Sequence, residues 1–138
     1  MLRAIFVVSV TMISLNSAMA ATETPIILSG RYEFRTNQES LEILGKQVCF
    51  YPSLPSSAAI PRPTEDRRLP WFCFSNAALA ASMLGFRLDD NLGKCGIGGH
   101  AKIAVANYQR YAGEGDGNDV ASLIKVLRIS PPKPLYCL

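Results

Sequence analysis

Four cysteines constrain the fold of this chain more than any other feature of its sequence. An even number of cysteines in a small exported chain indicates disulfide bonds. Zinc sites need closely spaced ligand pairs such as C-x-x-C, whereas the separations here are 24, 22 and 42 residues. We therefore expect two disulfides and no metal ion, formed by Cys49, Cys73, Cys95 and Cys137.

Three pairings of the four cysteines are possible. Cys49 and Cys73 lie in matching apolar contexts, Val48-Cys49-Phe50 and Phe72-Cys73-Phe74. This similarity favours the bonds Cys49–Cys73 and Cys95–Cys137, although spacing alone leaves the other pairings open. In the chain-entropy description, a bond that closes a loop of about 25 residues stabilises the fold by about 3.5 kcal/mol.

The first twenty residues are typical of a signal peptide. Arg3 precedes an apolar run over 4–15, and the small residues Ala18-Met19-Ala20 match a cleavage site. The run is shorter than the roughly 20 apolar residues that span a membrane. We expect residues 21–138 to form one domain with no membrane span, in the periplasm or outside the cell.

The pattern of the mature chain predicts a β-rich α+β fold. Residues 30–35 alternate charged and aromatic side chains, which predicts a strand with Tyr32 and Phe34 facing a core and Arg31, Glu33 and Arg35 facing water. Ser75 or Asn76 can cap a helix over 77–84 that ends at Gly85. The segment 120–129 fits a helix or a strand, and we favour a strand over 123–129. The order of the predicted elements is three strands, one helix and two strands. This is the order of a small five-stranded OB-like barrel or sheet with one helix between strands 3 and 4. The predicted strands are 30–35, 41–51 with a bulge at Gly45-Lys46, 71–74, 101–111 and 123–129.

A long loop from Pro52 to Pro70 is the most unusual segment, because it holds five of the nine prolines. Connections longer than roughly 12 to 15 residues are uncommon and often functional. Stiffening by proline lowers the entropy lost on docking. We therefore predict binding roles for loop and barrel-face residues, namely Ile60, Arg62, Arg67 and Arg68 in the loop, and Tyr51 and Trp71 on strands 2 and 3.

No cofactor motif occurs in the sequence. The glycines between Gly93 and Gly99 lack the G-x-G-x-x-G spacing of a phosphate cradle. The chain has no G-x-S-x-G segment, and His100 is its single histidine. Its basic residues are scattered, with a formal net charge of +3, so nothing indicates nucleic-acid binding.

These observations favour an exported, non-enzymatic interaction protein that binds a protein or glycan partner through the proline-rich loop or the adjoining barrel face. A sharper form of this hypothesis is an inhibitor or immunity protein. One alternative is a small secreted hydrolase that uses His100 with a carboxylate such as Asp89 or Asp90. Another is a structural subunit of an envelope assembly, for which an exposed apolar patch would be the sign.

The cysteine count generates the first prediction. Mass spectrometry of the oxidised, mature protein treated with a thiol reagent should show no modified cysteine. Labelling of two or more cysteines in the native protein would contradict the two-disulfide expectation.

Overall fold

A computed structural model describes residues 23–90, 95–115 and 117–137. The predicted signal peptide lies outside these residues. None of the described helices has the length and apolar character needed to cross a membrane. Within the described ranges, six strands and three helices follow one another as β1 (Ile26–Phe34), α1 (Gln38–Leu44), β2 (Val48–Pro52), α2 (Leu54–Ser57), β3 (Phe72–Phe74), α3 (Ala77–Leu84), β4 (Ile97–Gln109), β5 (Asp119–Ile129) and β6 (Lys133–Pro134).

Five of the strands form a closed barrel. The order is β1-β2-β3-β5-β4, and a long antiparallel pairing of β1 with β4 closes it. Among the strand pairings that the structure describes, only that of β3 with β5 is parallel, while β6 adds two residues at the edge of β4. This architecture confirms the predicted small OB-like fold, with α3 between strands 3 and 4.

The barrel interior is aromatic and aliphatic. The alternation predicted for β1 is confirmed for its inward-facing side chains, because Tyr32 and Phe34 are fully buried. The apolar face of α3 covers one end of the barrel with Ala81 and Leu84. A side chain at Gly99 would meet the Tyr32 ring, so only glycine lets β4 approach it.

The predicted second strand is wrong in its first half. Residues 38–44 form α1, in which Gln38 donates to Glu42 one turn later, and β2 begins only at Val48. Gly45 is the C-cap of this helix, with a φ of 70°, and not part of a bulge within a strand. A short apolar run fits both periodicities, and the polar Gln38 and Glu42 gave the helical spacing that the prediction overlooked.

The helix α3 agrees with its prediction at both ends, and its C-terminal Gly85 adopts the left-handed conformation. Asn76 occupies the N-terminal position but makes no capping bond. Its side chain instead donates to the Leu123 carbonyl and accepts from the Leu123 N–H, which ties α3 to β5. The ambiguous segment is a strand, and it begins at Asp119, four residues before the predicted start.

Both disulfides have the pairing that the sequence favoured. Cys49–Cys73 joins neighbouring residues of β2 and β3, and Cys95–Cys137 ties the C-terminal tail to the start of β4. Among the described residues no cysteine is free. The two bonds are compatible with an extracellular or periplasmic location.

The proline-rich segment is not a free loop, which corrects the expectation for two of its residues. Ile60 is only 5% exposed and belongs to the core. The Arg62 side chain is 11% exposed and makes ion pairs with Asp66 and with Asp119 at the start of β5. The apolar side chain of Ile60 and the charge of Arg62 are used within the fold, so neither side chain is free for docking.

Asp66 and Asp119 also accept hydrogen bonds from other groups near Arg62. The Tyr108 hydroxyl and the Tyr111 backbone N–H donate to Asp119, at 2.5 and 2.8 Å. Burial, followed by the bond to Asp119, raises the pKa of Tyr108 well above its usual value. We call these groups the ion-pair network; it consists of Arg62, Asp66, Arg68, Tyr108, Arg110 and Asp119.

Replacing Arg62 by alanine should lower the free energy of unfolding by about 3 to 5 kcal/mol, because it leaves the buried Asp119 carboxylate without its cation. Urea denaturation of both proteins measures this loss. Arg67→Ala is the control, since Arg67 is exposed and such changes cost no more than about 0.5 kcal/mol. Equal losses for the two variants would contradict a structural role for Arg62.

Asp66 should make stability depend on pH. Side-chain hydrogen bonds from Arg68 hold the pKa of Asp66 well below its usual range, against the opposing effect of burial, and the Arg62 charge adds to the lowering. A carboxyl group whose pKa is lower in the folded state contributes its full stabilisation at pH values above its unfolded-state pKa of about 3.9. This contribution is lost as the pH falls towards the folded-state pKa.

Asp66→Asn should therefore flatten the fall in unfolding free energy between about pH 4 and pH 2, measured by urea denaturation at each pH. Glu65→Gln removes the adjacent exposed carboxylate and should keep the slope of the wild type. An unchanged slope in Asp66→Asn would disprove the assignment.

Candidate functional site

A row of four side chains crosses the outer face of the barrel. Tyr51 on β2 is opposite Arg31 on β1, which is in turn opposite His100 on β4. Trp71 directly precedes β3, and the register of Phe50 with Phe72 places it beside Tyr51. We call Trp71, Tyr51, Arg31 and His100 the cross-strand row.

The aromatic half of this row is stacked. The rings of Tyr51 and Trp71 are 5.7 Å apart and inclined by 12°, and the Arg31 guanidinium lies 5.0 Å from the Tyr51 ring centre. Burial, followed by the charge of Glu33, raises the pKa of Tyr51, so its hydroxyl stays protonated near neutral pH. The stack therefore presents two half-buried aromatic rings flanked by a guanidinium, with a hydrogen-bonding hydroxyl on Tyr51.

A cleft of about 610 Å³ opens on one side of Tyr51, between β1 and α1, and we call it the polar cleft because most of its lining residues are charged or polar. Its floor includes Glu33, which the alternation predicted to face water but which is 5% exposed. The Nε atoms of Arg31 and Arg35 donate to its two carboxylate oxygens at 2.8 and 2.9 Å. The cleft therefore presents two cations held by one buried carboxylate, beside the polar first turn of α1.

A second cleft, of about 410 Å³, opens on the other side of the stack and is largely apolar. The two ends of the proline-rich segment supply Leu54 and Leu69 to it, and these side chains are 75% and 72% exposed. Leucines this exposed contribute little to the core. They enlarge the apolar surface of Tyr51 and Trp71.

The predicted site residues separate into two groups. Tyr51 and Trp71 are brought together, as expected for the face of strands 2 and 3. Arg67 is exposed and has no ion pair among the described residues, whereas Arg68 binds Asp66 and the Tyr111 carbonyl. The binding roles of these four residues stay predictions.

Four residues that surround the stack were not predicted from the sequence. The sequence did contain a signal for Arg31 and Glu33, because the alternation of β1 places every second side chain on the outer face of the barrel. Leu54 and Leu69 had none, because only the folded chain brings the two ends of a 19-residue segment to one cleft. These four residues enlarge the aromatic pair into a surface with an apolar centre and a charged rim.

His100 lies exposed on β4, and its backbone exchanges hydrogen bonds with Ser130. Asp89 forms an ion pair with Lys46 at 3.5 Å, and Asp90 accepts from the Arg87 backbone N–H. Both carboxylates thus have other partners in the described part of the chain. Within that part no group of three potential metal ligands occurs. The hydrolase alternative stays a prediction that no observed contact favours.

No family model, curated protein or solved structure is significantly similar to this chain. The geometry of the outer face is therefore what indicates the function of this chain. That geometry can hold an apolar or aromatic group on the stack and hydrogen-bonding groups in the polar cleft.

Proposed function

We propose that this chain is an exported, non-enzymatic binding protein whose partner is a protein that docks on the outer barrel face around Tyr51 and Trp71. The observation that carries the proposal is the stack of these two rings beside two strongly exposed leucines. A large apolar surface on the exterior of a small protein marks an interaction site more often than a structural need.

The composition of this surface supports a protein partner. Trp, Tyr and Arg are the residues most enriched where binding energy concentrates, and here Trp71, Tyr51 and Arg31 are neighbours. Burying one leucine side chain contributes roughly 1.5 to 3 kcal/mol. Leu54 and Leu69 would add this energy at the rim of the aromatic pair, and the charged groups of the polar cleft would orient the partner.

The fold gives independent support by analogy. OB barrels bind their ligands on the face of strands 2 and 3 and on the loop between strands 1 and 2. In this chain Tyr51 and Trp71 occupy that face, and α1 occupies that loop. The analogy concerns the position of the site and not the identity of the ligand.

The proline-rich segment takes a different part in the proposal from the one its arginines suggested. The ion-pair network fixes its middle, so that its two ends present Leu54 and Leu69 with little loss of freedom on docking. A rigid surface of this kind suits an inhibitor or immunity protein that covers a site on an envelope or toxic enzyme. Arg67 and Arg68 would lie at the edge of the contact.

A glycan is the second candidate partner, and the polar cleft is the observation that favours it. Sugar hydroxyls pair with charged side chains such as Arg31, Arg35 and Glu33, while a sugar ring packs on an aromatic face. The structure places both kinds of group within one continuous surface.

The proposal predicts a specific crosslink. A photoreactive amino acid at position 54 or 69, expressed in the exporting cell and irradiated, should give a discrete protein adduct that mass spectrometry identifies. Leu79→photoreactive residue is the matched control, because Leu79 is also an exposed leucine (58%) but lies on α3, outside the site. The adduct should disappear when Trp71→Ala is added.

Adducts of equal yield at positions 69 and 79 would contradict the proposed surface. Trp71 is the single tryptophan, so its fluorescence reports directly on the stack. Envelope oligosaccharides should leave its emission unchanged if the partner is a protein. A saturable shift, absent in a variant with Arg35→Ala, would instead assign the surface to a glycan.

A further inference from the structure

A second region of the outer face, over β1, β4 and β5, carries unneutralised positive charge. Lys102 on β4 is directly opposite Arg128 on β5, and both side chains are exposed. Within the described part of the chain neither side chain has an ion-pair or hydrogen-bond partner. Like charges directly opposite on neighbouring strands destabilise a sheet, so this pair weakens the fold that carries it.

A cleft of about 450 Å³ lies against this pair. Lys102 and Arg128 line it together with His100 and with Ser29 and Ser53, whose hydroxyl groups have no hydrogen-bond partner among the described residues. Two cations and several O–H or N–H donors thus converge on one concave space. This is the donor set that an oxyanion requires.

The size of the cleft indicates more than a bare ion. Its volume lies in the range of clefts that hold small organic ligands, and Ala101 and Ile129 give it apolar walls. A phosphate monoester carries a charge of −1.5 to −2 near neutral pH, which matches two unit cations better than a carboxylate does.

We propose that this cleft binds the phosphate group of a phosphate monoester, with Lys102 and Arg128 as its charge partners. The anion would convert the repulsion between the two side chains into a shared attraction. His100, Ser29 and Ser53 supply further donors, and the apolar walls contact the organic part. The inference does not depend on the proposed function, since its charge partners Lys102 and Arg128 lie outside the docking surface around Tyr51 and Trp71 and its ligand is a small molecule.

The test uses thermal melting of the whole mature protein at pH 7.5, with glycerol 3-phosphate as the probe and sodium chloride at matched ionic strength as the reference. Glycerol 3-phosphate should raise the melting temperature above the chloride reference. Lys102→Gln and Arg128→Gln should each abolish this rise and, in phosphate-free buffer of low ionic strength, melt at a higher temperature than the wild type.

Lys125→Gln is the matched control, because Lys125 is another exposed cation of β5 that does not line the cleft. It should retain the full response to glycerol 3-phosphate. A rise in melting temperature no larger than that with chloride would overturn the proposal. So would an equal loss of the rise in Lys125→Gln, because either result would show that the added anion only screens the surface charge.

Three related probes test the chemistry of the ligand. Inorganic phosphate should bind at least tenfold more weakly than glycerol 3-phosphate in a titration followed by amide NMR shifts of β4 and β5. Glycerol should not bind. Glycerate that binds as tightly as glycerol 3-phosphate would overturn the assignment to phosphate, and inorganic phosphate of equal affinity would overturn the assignment to an ester.

Discussion

The parallel pairing of β3 with β5 is the contact on which the barrel depends. It consists of three residue pairs, Phe72 with Asp119, Cys73 with Val120, and Phe74 with Ala121. A ladder this short needs support on both sides. The disulfide to Cys49 holds β3 against β2, and Arg62, from the segment that precedes β3, binds Asp119 at the start of β5. A charge pair this buried adds little net stability but strongly disfavours arrangements in which either partner is alone.

The Cys49–Cys73 disulfide, which supports this contact, also makes the aromatic surface rigid. Side chains two residues apart on a strand share a face, so Tyr51 and Trp71 lie next to the Cys49–Cys73 bond on the outside of the barrel. A covalent bond between neighbouring strands restricts the motion of the rings beside it. The rings are thus held in one geometry before a partner arrives, and this lowers the entropy that docking costs.

Local patterns were sufficient to predict much of this fold. Alternation in β1 predicted the buried Tyr32 and Phe34, helix formers followed by glycine predicted α3, and the order of the elements predicted the barrel. The position of Tyr51 and Trp71 on neighbouring strands followed from that order. These features depend on residues close together in sequence or on simple rules of topology.

The errors came from two sources, partners distant in sequence and local signals that were overlooked. Arg62 was expected to be a free docking residue because its partner Asp119 is 57 residues away. The burial of Glu33 depends in part on Arg35, which lies beyond the end of the strand. Residues 41–44 were assigned to a strand because a short apolar run fits either period. In each case a polar side chain was interpreted without the partner that the fold provides.

The outer face of a barrel has no core to fill, so its side chains are expected to be polar and evenly charged. Most exceptions on this face have a structural reason, as Glu33 has in its two arginines. Among the described residues, the exposed leucines beside Trp71 and the opposed cations Lys102 and Arg128 are two exceptions with no such reason. A sequence that departs from a local rule without a structural gain does so most often at functional sites. The leucines lie in the proline-rich segment and the cations on β4 and β5, and the two groups differ in chemistry, so they are consistent with two separate ligand groups and not with one extended core defect.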